Sequence, residues 1–301
     1  MAKQFCDLEL DSVQAEPVIE SITNLYNSIE SLAMSQPDSF CIPLNEGYVK
    51  YPLIQRILWI VMNTPVDKRE GLKILNQALS VMSFITYDDQ NLFYSRLLEA
   101  SSLSKRLNKL LTIADLRSQV INPMTNIIYS SSQFLMESVK TGLFSAITSV
   151  IATSKFEEYR GMLGLVLAIT MSYPTGHTAP ISSILKQFVG VMIKYFIECP
   201  QSNEADIIDA LSILLNIGEL LPESGEVMRD NKTVRKYLTE YLKSFDARKV
   251  RIGYMLLVVF SSIGSVGVIR GLTHRNSLPK SISMSSCFKH RKLSGRPRTS
   301  C

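Results

Sequence analysis

The segment Ile184–Phe196, ILKQFVGVMIKYF, carries the pattern that decides the fold. Its apolar residues recur at i, i+4, i+7, i+8 and i+11, which places them on one face of an α-helix; they are Ile184, Phe188, Val191, Met192 and Tyr195. The same periodicity runs through Ile207–Leu221 and Leu92–Leu111. No segment alternates strictly between apolar and polar residues, and no Asn-Gly or Asp-Gly pair is present to start a hairpin. The sequence therefore predicts an all-α fold.

Continued along the chain, this periodicity predicts a series of helices with short connections. They lie near residues 13–34, 53–63, 66–85, 89–111, 123–138, 140–153, 156–172, 181–198, 204–221, 231–245 and 247–269. Thr64-Pro65 and Asn122-Pro123 each place a capping side chain before a proline, so we expect a helix to begin at both prolines. Asp230 and Asp246 precede the last two helices and can cap them.

The regular succession of helices gives the chain a recognisable rhythm. Helices of about 15–22 residues joined by short loops form antiparallel pairs of about 40 residues. In this rhythm, residues 50–269 resemble the armadillo/HEAT class of helical repeats, although no consensus residue recurs at fixed spacing. The resemblance implies a right-handed stack of antiparallel helix pairs, an α-solenoid. An irregular helical bundle is the alternative.

Charge divides the chain into three parts. The first 46 residues hold eight Asp/Glu and only one basic residue, and residues 1–50 are interpreted as an acidic cap or arm made of one helix and a loop. Residues 51–269 form the predicted helical-repeat domain. Residues 270–301 hold eight Lys/Arg and no acid, and they are predicted to be a disordered basic tail. Because the chain without this tail has 24 basic and 27 acidic residues, we expect no nucleic acid to bind the body.

Residues able to carry out catalysis or bind metal are scarce. The five cysteines form no CxxC pair, and the three histidines belong to no metal-binding or catalytic motif. We therefore expect no enzyme activity, no metal and no cofactor; an all-α enzyme whose acids converge only in space is the alternative. The amino terminus, MAKQFCDLE, has no apolar signal region, so a cytoplasmic or nuclear location is expected.

Two small groups of residues are candidate interaction or regulatory sites. Tyr51, Arg56 and Trp59 could contact a partner, because aromatic and basic side chains together can stack on peptide groups. The apolar residues around Trp59 nevertheless favour the interpretation that it lies in the core. In the tail, Arg291 and Lys292 precede Ser294 at a spacing that basophilic kinases read, so Ser294 is a possible phosphosite.

The segment Ile252–Ile269, IGYMLLVVFSSIGSVGVI, has 18 residues and no charge. This meets the minimum length of a membrane span, about 17–25 residues. The terminal helix of a repeat stack needs a polar outer face. Another helix, a partner or another copy of the chain could therefore cover this apolar segment. A further alternative is that the chain is a shortened form of a longer solenoid. We expect a scaffold or adaptor that binds a peptide or helix of a protein partner; a membrane-associated protein anchored through Ile252–Ile269 is the alternative.

Overall fold

The computed structural model describes residues 15–35, 53–86, 102–153, 156–174, 181–198 and 204–262. These residues form thirteen α-helices and, within these ranges, no strand. In chain order the helices are α1 Ala15–Ser35, α2 Leu53–Asn63, α3 Arg69–Ile85, α4 Leu103–Leu111, α5 Ala114–Ser130, α6 Ser132–Lys140, α7 Leu143–Thr153, α8 Phe156–Ser172, α9 Ser182–Glu198, α10 Glu204–Leu220, α11 Ser224–Asp230, α12 Lys232–Leu242 and α13 Ala247–Ser262. The all-α prediction is confirmed.

Six long helices form one layer of the molecule. Helix α1 packs against α3, and the series continues in order through α5, α8, α10 and α13. From α3 onward the long helices begin 42–48 residues apart. The other described helices connect them and pack beside them, and all of these except α9, which has 17 residues, are shorter; α2 and α4, for example, contact α3 and α5 respectively. Such stacking of successive neighbours is the arrangement of a solenoid, as the sequence rhythm predicted.

The core lies between the long and short helices and runs the length of the stack. Helix α10 is buried on nearly every side, because α8, α9 and α13 pack around it, and its sequence is apolar nearly all round. Its buried apolar residues include Ala210, Leu211, Ile213, Leu214, Leu215 and Ile217. Each large apolar side chain that is fully buried stabilises the fold by about 1.5–3 kcal/mol. Packing in the core therefore outweighs the weak local signal of a proline that follows a capping residue. Two of the predicted helix starts, at Pro65 and Pro123, are wrong.

The first correction concerns Pro123, which does not begin a helix. It lies inside α5 and is buried there, although a proline at an interior position removes one backbone hydrogen bond. Burial of the α5 face that carries Val120, Met124 and Ile127 offsets this loss. The actual break comes at Ser131, whose side chain accepts a hydrogen bond of 3.1 Å from the amide of Phe134 and caps α6.

The second correction concerns Pro65, which lies in the turn between α2 and α3. Helix α3 begins at Arg69, and the carbonyl of Pro65 crosses close to its first turn. A Cβ atom at Gly71 would lie 2.1 Å from the Pro65 carbonyl oxygen, so only glycine fits at this crossing. Arg106 of α4 also stabilises the turn between α2 and α3, because its side chain donates to the carbonyls of Val61, at 2.9 Å, and Thr64.

The sequence predicted the capping residues of the last two helices, α12 and α13, and one of these two predictions is confirmed. Asp246 accepts a hydrogen bond of 2.8 Å from the amide of Arg248, as predicted for the start of α13. At α12 the cap is Asn231, which accepts from Thr233 and Val234 at 3.0 and 3.2 Å. Asp230 instead ends the short helix α11, a helix the sequence did not predict.

Candidate interaction surfaces

Successive long helices meet in a repeated register, which fixes how their outer faces line up. At three junctions between successive long helices, the thirteenth residue of the later helix lies beside the fifteenth residue of the helix before it. In α5 this residue is Asn126, whose amide donates to the Ser83 carbonyl and the Thr86 hydroxyl of the α3 end, both at 3.2 Å. In α10 it is Asn216, which donates to the Thr170 hydroxyl of α8 at 3.3 Å. In α13 it is Val259, which contacts Gly218 of α10.

The outer face of α3 and α5 carries a group of uncharged polar side chains, which we call the amide ribbon. On each helix the residues fall at i, i+1 and i+4, and none of them is buried; they are Asn76, Gln77 and Ser80 on α3 and Ser118, Gln119 and Asn122 on α5. The Ser80 hydroxyl lies 3.0 Å from Oε1 of Gln119 and 2.9 Å from the Asn76 carbonyl oxygen, so it can donate to either, and the two halves of the ribbon are in contact. The ribbon is therefore one continuous surface across two helices.

The ribbon does not continue onto α8. Gly161 and Gly164 hold the same places in α8 that Gln119 and Asn122 hold in α5. A Cβ atom at Gly164 would meet nothing within 4 Å, and one at Gly161 would lie 3.9 Å from Ile121. The outer face of the stack is thus rich in side-chain amides on α3 and α5 and nearly bare at the centre of α8.

The amino-terminal helix carries further amides on its own surface. Asn24, Asn27, Ser28 and Ser31 of α1 line an open cavity of about 590 Å³. On the adjoining side, the Tyr26 hydroxyl donates to Glu30 at 3.1 Å, and the Tyr26 ring lies 5.7 Å from that of Phe84. Burial, followed by the hydrogen bond and the charge of Glu30, raises the pKa of Tyr26 to about 12. This tyrosine therefore stays protonated at neutral pH and serves as a structural donor.

Of the predicted partner contacts, Arg56 and Trp59 lie on α2 and Tyr51 lies outside the described residues. Trp59 is 44% exposed, so the interpretation that places it in the core is wrong. The Nε and Nη2 atoms of Arg56 are shielded from solvent and have no hydrogen-bond partner in the described part of the chain. Because α2 belongs to the short helices, the fold does not bring these two residues onto the amide ribbon, and their contact with a partner stays a prediction.

The carboxyl end of the stack has a different character. On α13, Tyr254, Leu257 and Val258 are 59%, 42% and 55% exposed. Beside it, the solvent-facing side of α12 carries Lys232, Arg235 and Lys236, and Lys243 follows the helix directly; all four are exposed. We call the two faces together the end face. The remainder of the uncharged segment, residues 263–269, lies outside the described residues, as do the basic tail and Ser294.

Within the described ranges, no single helix is long and apolar enough to cross a membrane. Among the helices described, one pair, Ser132–Lys140 and Leu143–Ile151, bent by 70°, has the length and composition of a span when its two helices are taken together. The same ranges contain no group of three His, Cys, Asp or Glu side chains placed to hold a metal ion. His177, His274 and His290 lie outside them.

Comparison with solved structures decides the fold. A designed armadillo repeat protein superposes with a TM-score of 0.61, covering 86% of this chain and 98% of its own at 13% identity. The fold is an armadillo-like α-solenoid. A second designed armadillo repeat protein, solved with the peptide (KR)4, gives a TM-score of 0.59 at 12% identity, and an engineered protein gives 0.62 at 17% identity; they cover 86% and 87% of this chain and 98% and 96% of their own.

No family model and no curated protein sequence matches the chain. The armadillo-like fold confirms the resemblance seen in the sequence and excludes the irregular bundle. The sequence did not reveal the amide ribbon, although the recurrence of uncharged polar residues at i, i+1 and i+4 on two long helices is a signal that could have found it. The register between helices, which joins the two halves, could not be read from the chain.

Proposed function

We propose that this protein is a non-enzymatic interaction scaffold that binds an extended peptide segment of a partner protein across the amide ribbon. The observation that supports this proposal is the continuous set of side-chain amides and hydroxyls on α3 and α5. An armadillo-like stack presents its long helices as an extended surface on which such a segment can lie.

The chemistry of the ribbon suits a main chain more than a charged side chain. An extended peptide offers alternating N–H and C=O groups, and an Asn or Gln amide can accept from the first and donate to the second. The side-chain amides of Asn76, Gln77 and Asn122 make no hydrogen bond within the described ranges, so they are available for such contacts. The ribbon itself contains no ionisable residue. This favours recognition of backbone amides over recognition of one charge type.

The neighbouring residues suggest where a bound segment would gain apolar contact. Tyr129 lies one turn of helix beyond Thr125 and Asn126 on α5 and is 41% exposed. The bare surface of α8 at Gly164 leaves room for a bulky side chain of the peptide. A segment that crosses from α3 to α8 would therefore meet hydrogen-bonding groups first and open space next.

The proposal is tested by selecting peptides from a displayed random library on the full-length protein. Selected peptides are then measured by fluorescence anisotropy against wild type, Asn122→Ala and Asn76→Ala. Each amide makes hydrogen bonds of about 1–1.5 kcal/mol, so each substitution is expected to weaken binding by about five- to tenfold. Gln55→Ala, an exposed amide on α2, is the matched control and should leave affinity unchanged.

Two results would overturn the proposal. One is a library that yields no peptide enriched over a blank surface. The other is a set of peptides that bind wild type and the double variant Asn76→Ala/Asn122→Ala equally well. Because all the substituted side chains lie outside the core, circular dichroism melts should show unchanged folding in every variant.

A further inference from the structure

We infer that the end face of the stack is a docking surface for an acidic amphipathic helix of another protein. This surface lies at the opposite end of the chain from the amide ribbon, and the inference does not depend on the peptide-binding proposal. It rests on the position of α13 in the stack, on its exposed apolar side chains and on the charge of α12.

The apolar side chains of α13 lie where the stack would receive its next helix. Val259 points toward α10, where it contacts Gly218. Successive residues turn by about 100° around a helix, so Leu257 points about 160° away from Val259. Tyr254 and Val258 lie on the same outward side as Leu257, at i, i+4 and i+3. Earlier long helices in the stack are covered on this side by the following long helix, whereas α13 packs against α10, α11 and α12 and leaves this side exposed among the described residues.

The shape of the exposed patch fits one helix. Three apolar residues spaced at i, i+3 and i+4 form a stripe about one helix wide, which is the pattern that an amphipathic helix presents and receives. A repeat stack whose last apolar side stays in water would carry a solubility cost that terminal repeats normally avoid. A helix laid along α13 would bury this stripe in the geometry already used between α10 and α13.

The charges around the stripe select an acidic occupant. Residues 229–251 contain eight Lys/Arg and three Asp/Glu. Two of the acids neutralise close neighbours, since Asp230 lies 3.5 Å from Arg235 and Glu240 lies 3.8 Å from Lys236. Lys232, Lys243 and Arg251 have no ion-pair partner within the described ranges. Lys232 and Lys243 lie at the two ends of α12, which packs along α13, and Arg251 lies on α13 one turn before Tyr254. These three positive charges are therefore close enough to the apolar stripe to attract a helix with carboxylates along its edges.

The same charges disfavour a second copy of the chain as the occupant. A symmetric dimer through α13 would bring the two basic surfaces together, because such an interface uses the same patch on both subunits. Like charges juxtaposed at an interface oppose association. An acidic helix instead satisfies both features of the surface, the apolar stripe and the unpaired cations beside it.

The inference is tested with the full-length protein and a synthetic helix of about 17 residues, the length of the long helices, that has leucine on one face and glutamate on the other. Binding is measured by fluorescence anisotropy of the labelled peptide. A peptide of the same composition in scrambled order, and one with lysine in place of glutamate, serve as comparisons. The acidic amphipathic helix is expected to bind at least about tenfold more tightly than either, and to weaken as salt screens the flanking charges.

Substitutions assign the binding to the end face. Tyr254→Ser/Val258→Ser is expected to reduce affinity about tenfold or more, and Lys232→Glu/Lys243→Glu to reduce it while removing most of the salt dependence. Met34→Ser, which alters a residue 75% exposed on α1, and Lys73→Glu, on the outer side of α3, are the matched controls and should have no effect. All these side chains are at the surface, so thermal melts should confirm that the variants fold.

Three outcomes would overturn the inference. The first is equal affinity of the acidic helix for wild type and Tyr254→Ser/Val258→Ser. The second is binding of the protein to vesicles containing phosphatidylserine without binding of the peptide, which would assign the end face to a lipid surface. The third is a concentration-dependent dimer in analytical ultracentrifugation that Tyr254→Ser/Val258→Ser abolishes, which would assign it to a second copy.

Discussion

The junction between α8 and α10 and the junction between α10 and α13 use the same register but different chemistry. At the first, the buried amide of Asn216 reaches the hydroxyl of Thr170 at 3.3 Å. At the second, Val259 and Gly218 stand at the corresponding positions and approach so closely that a Cβ at Gly218 would lie 2.5 Å from a methyl of Val259. The interior junction is specified by a hydrogen bond, and the terminal junction is specified by shape.

This difference shows two ways to fix one geometry. A hydrogen bond between buried polar groups penalises any other register, because a shifted amide would lose its partner at a cost of about 1–3 kcal/mol. A close valine–glycine contact instead penalises any added atom. The polar junction should therefore tolerate changes of volume better than changes of polarity, and the apolar junction should behave in the opposite way.

The largest effect is expected from Gly218→Ala. Alanine favours a helix over glycine by about 1 kcal/mol, but a methyl group 2.5 Å from the stiff, β-branched Val259 costs about 3 kcal/mol, the upper end of the range for overpacking, so the net loss is about 2 kcal/mol. We expect a net loss of unfolding free energy, measured by urea titration. In the Val259→Ala background the clash is absent, since the nearest remaining atom is the Cβ of residue 259 at 3.6 Å. Gly218→Ala should then stabilise the protein, and a loss in both backgrounds would contradict the shape argument.

A smaller effect is expected at the polar junction from Asn216→Ala. Removing the buried amide should lower the unfolding free energy by about 1–2 kcal/mol. A double-mutant cycle with Thr170→Val isolates the hydrogen bond, and we expect a coupling of about 1 kcal/mol. Thr170 also donates to the Leu167 carbonyl at 3.1 Å, so each single variant includes other losses. Zero coupling would show that the two side chains do not specify the register.

A weaker version of the same effect is expected at the junction between α3 and α5. Asn126 is only half-buried, and water can replace its bonds to Ser83 and Thr86. Asn126→Ala should therefore cost less than Asn216→Ala, about 0.5–1 kcal/mol in the same titration. Equal costs at the two sites would mean that burial does not set the strength of the polar junction.

The smallest effect concerns the start of the terminal helix. The amide of Arg248 donates to Asp246, which holds the pKa of this carboxyl below its usual range. A carboxylate with a depressed pKa contributes stability above its unfolded pKa of about 4, and this contribution is lost as the pH falls through the folded pKa. Thermal melts between about pH 5 and 2 should show a steeper loss for wild type than for Asp246→Asn, since Asn also caps but does not titrate. Parallel curves would contradict this role.

The sequence predicted the bounds of α8, α9 and α10 to within one residue, because each is a long apolar segment with polar or loop-forming residues at its ends. It failed at Pro65 and Pro123, because a proline after a capping residue is a local signal and burial of the apolar face of α5 is a larger, non-local term. It also favoured a buried Trp59, which is 44% exposed, because a periodic pattern does not say which neighbouring helix covers each side chain. The sequence placed the cap of α12 at Asp230, one residue before the actual cap Asn231, because Asp and Asn cap helices about equally well.

The candidate surfaces were less accessible to prediction than the fold. The exposed apolar side of α13 was anticipated from the absence of a charge in Ile252–Ile269 and from the polar sequence that follows. The amide ribbon depends on Ser80 and Gln119, which are 39 residues apart and meet only through the register of α3 and α5. That register is set by partners as different as Ser83, Thr170 and Gly218, so it leaves no repeating consensus in the chain.

Packing of each long helix on its neighbours in the series has a consequence for how the protein opens. In a quasi-one-dimensional array, the free energy needed to expose a segment grows with the number of interfaces that must be broken. Helices α1 and α13 stand at the two ends of the series, whereas α5 and α8 lie between two long neighbours. Amide hydrogen exchange should therefore be slowest in α5 and α8 and become faster toward α1 and α13, because the helices at the two ends of the series open before those in its middle.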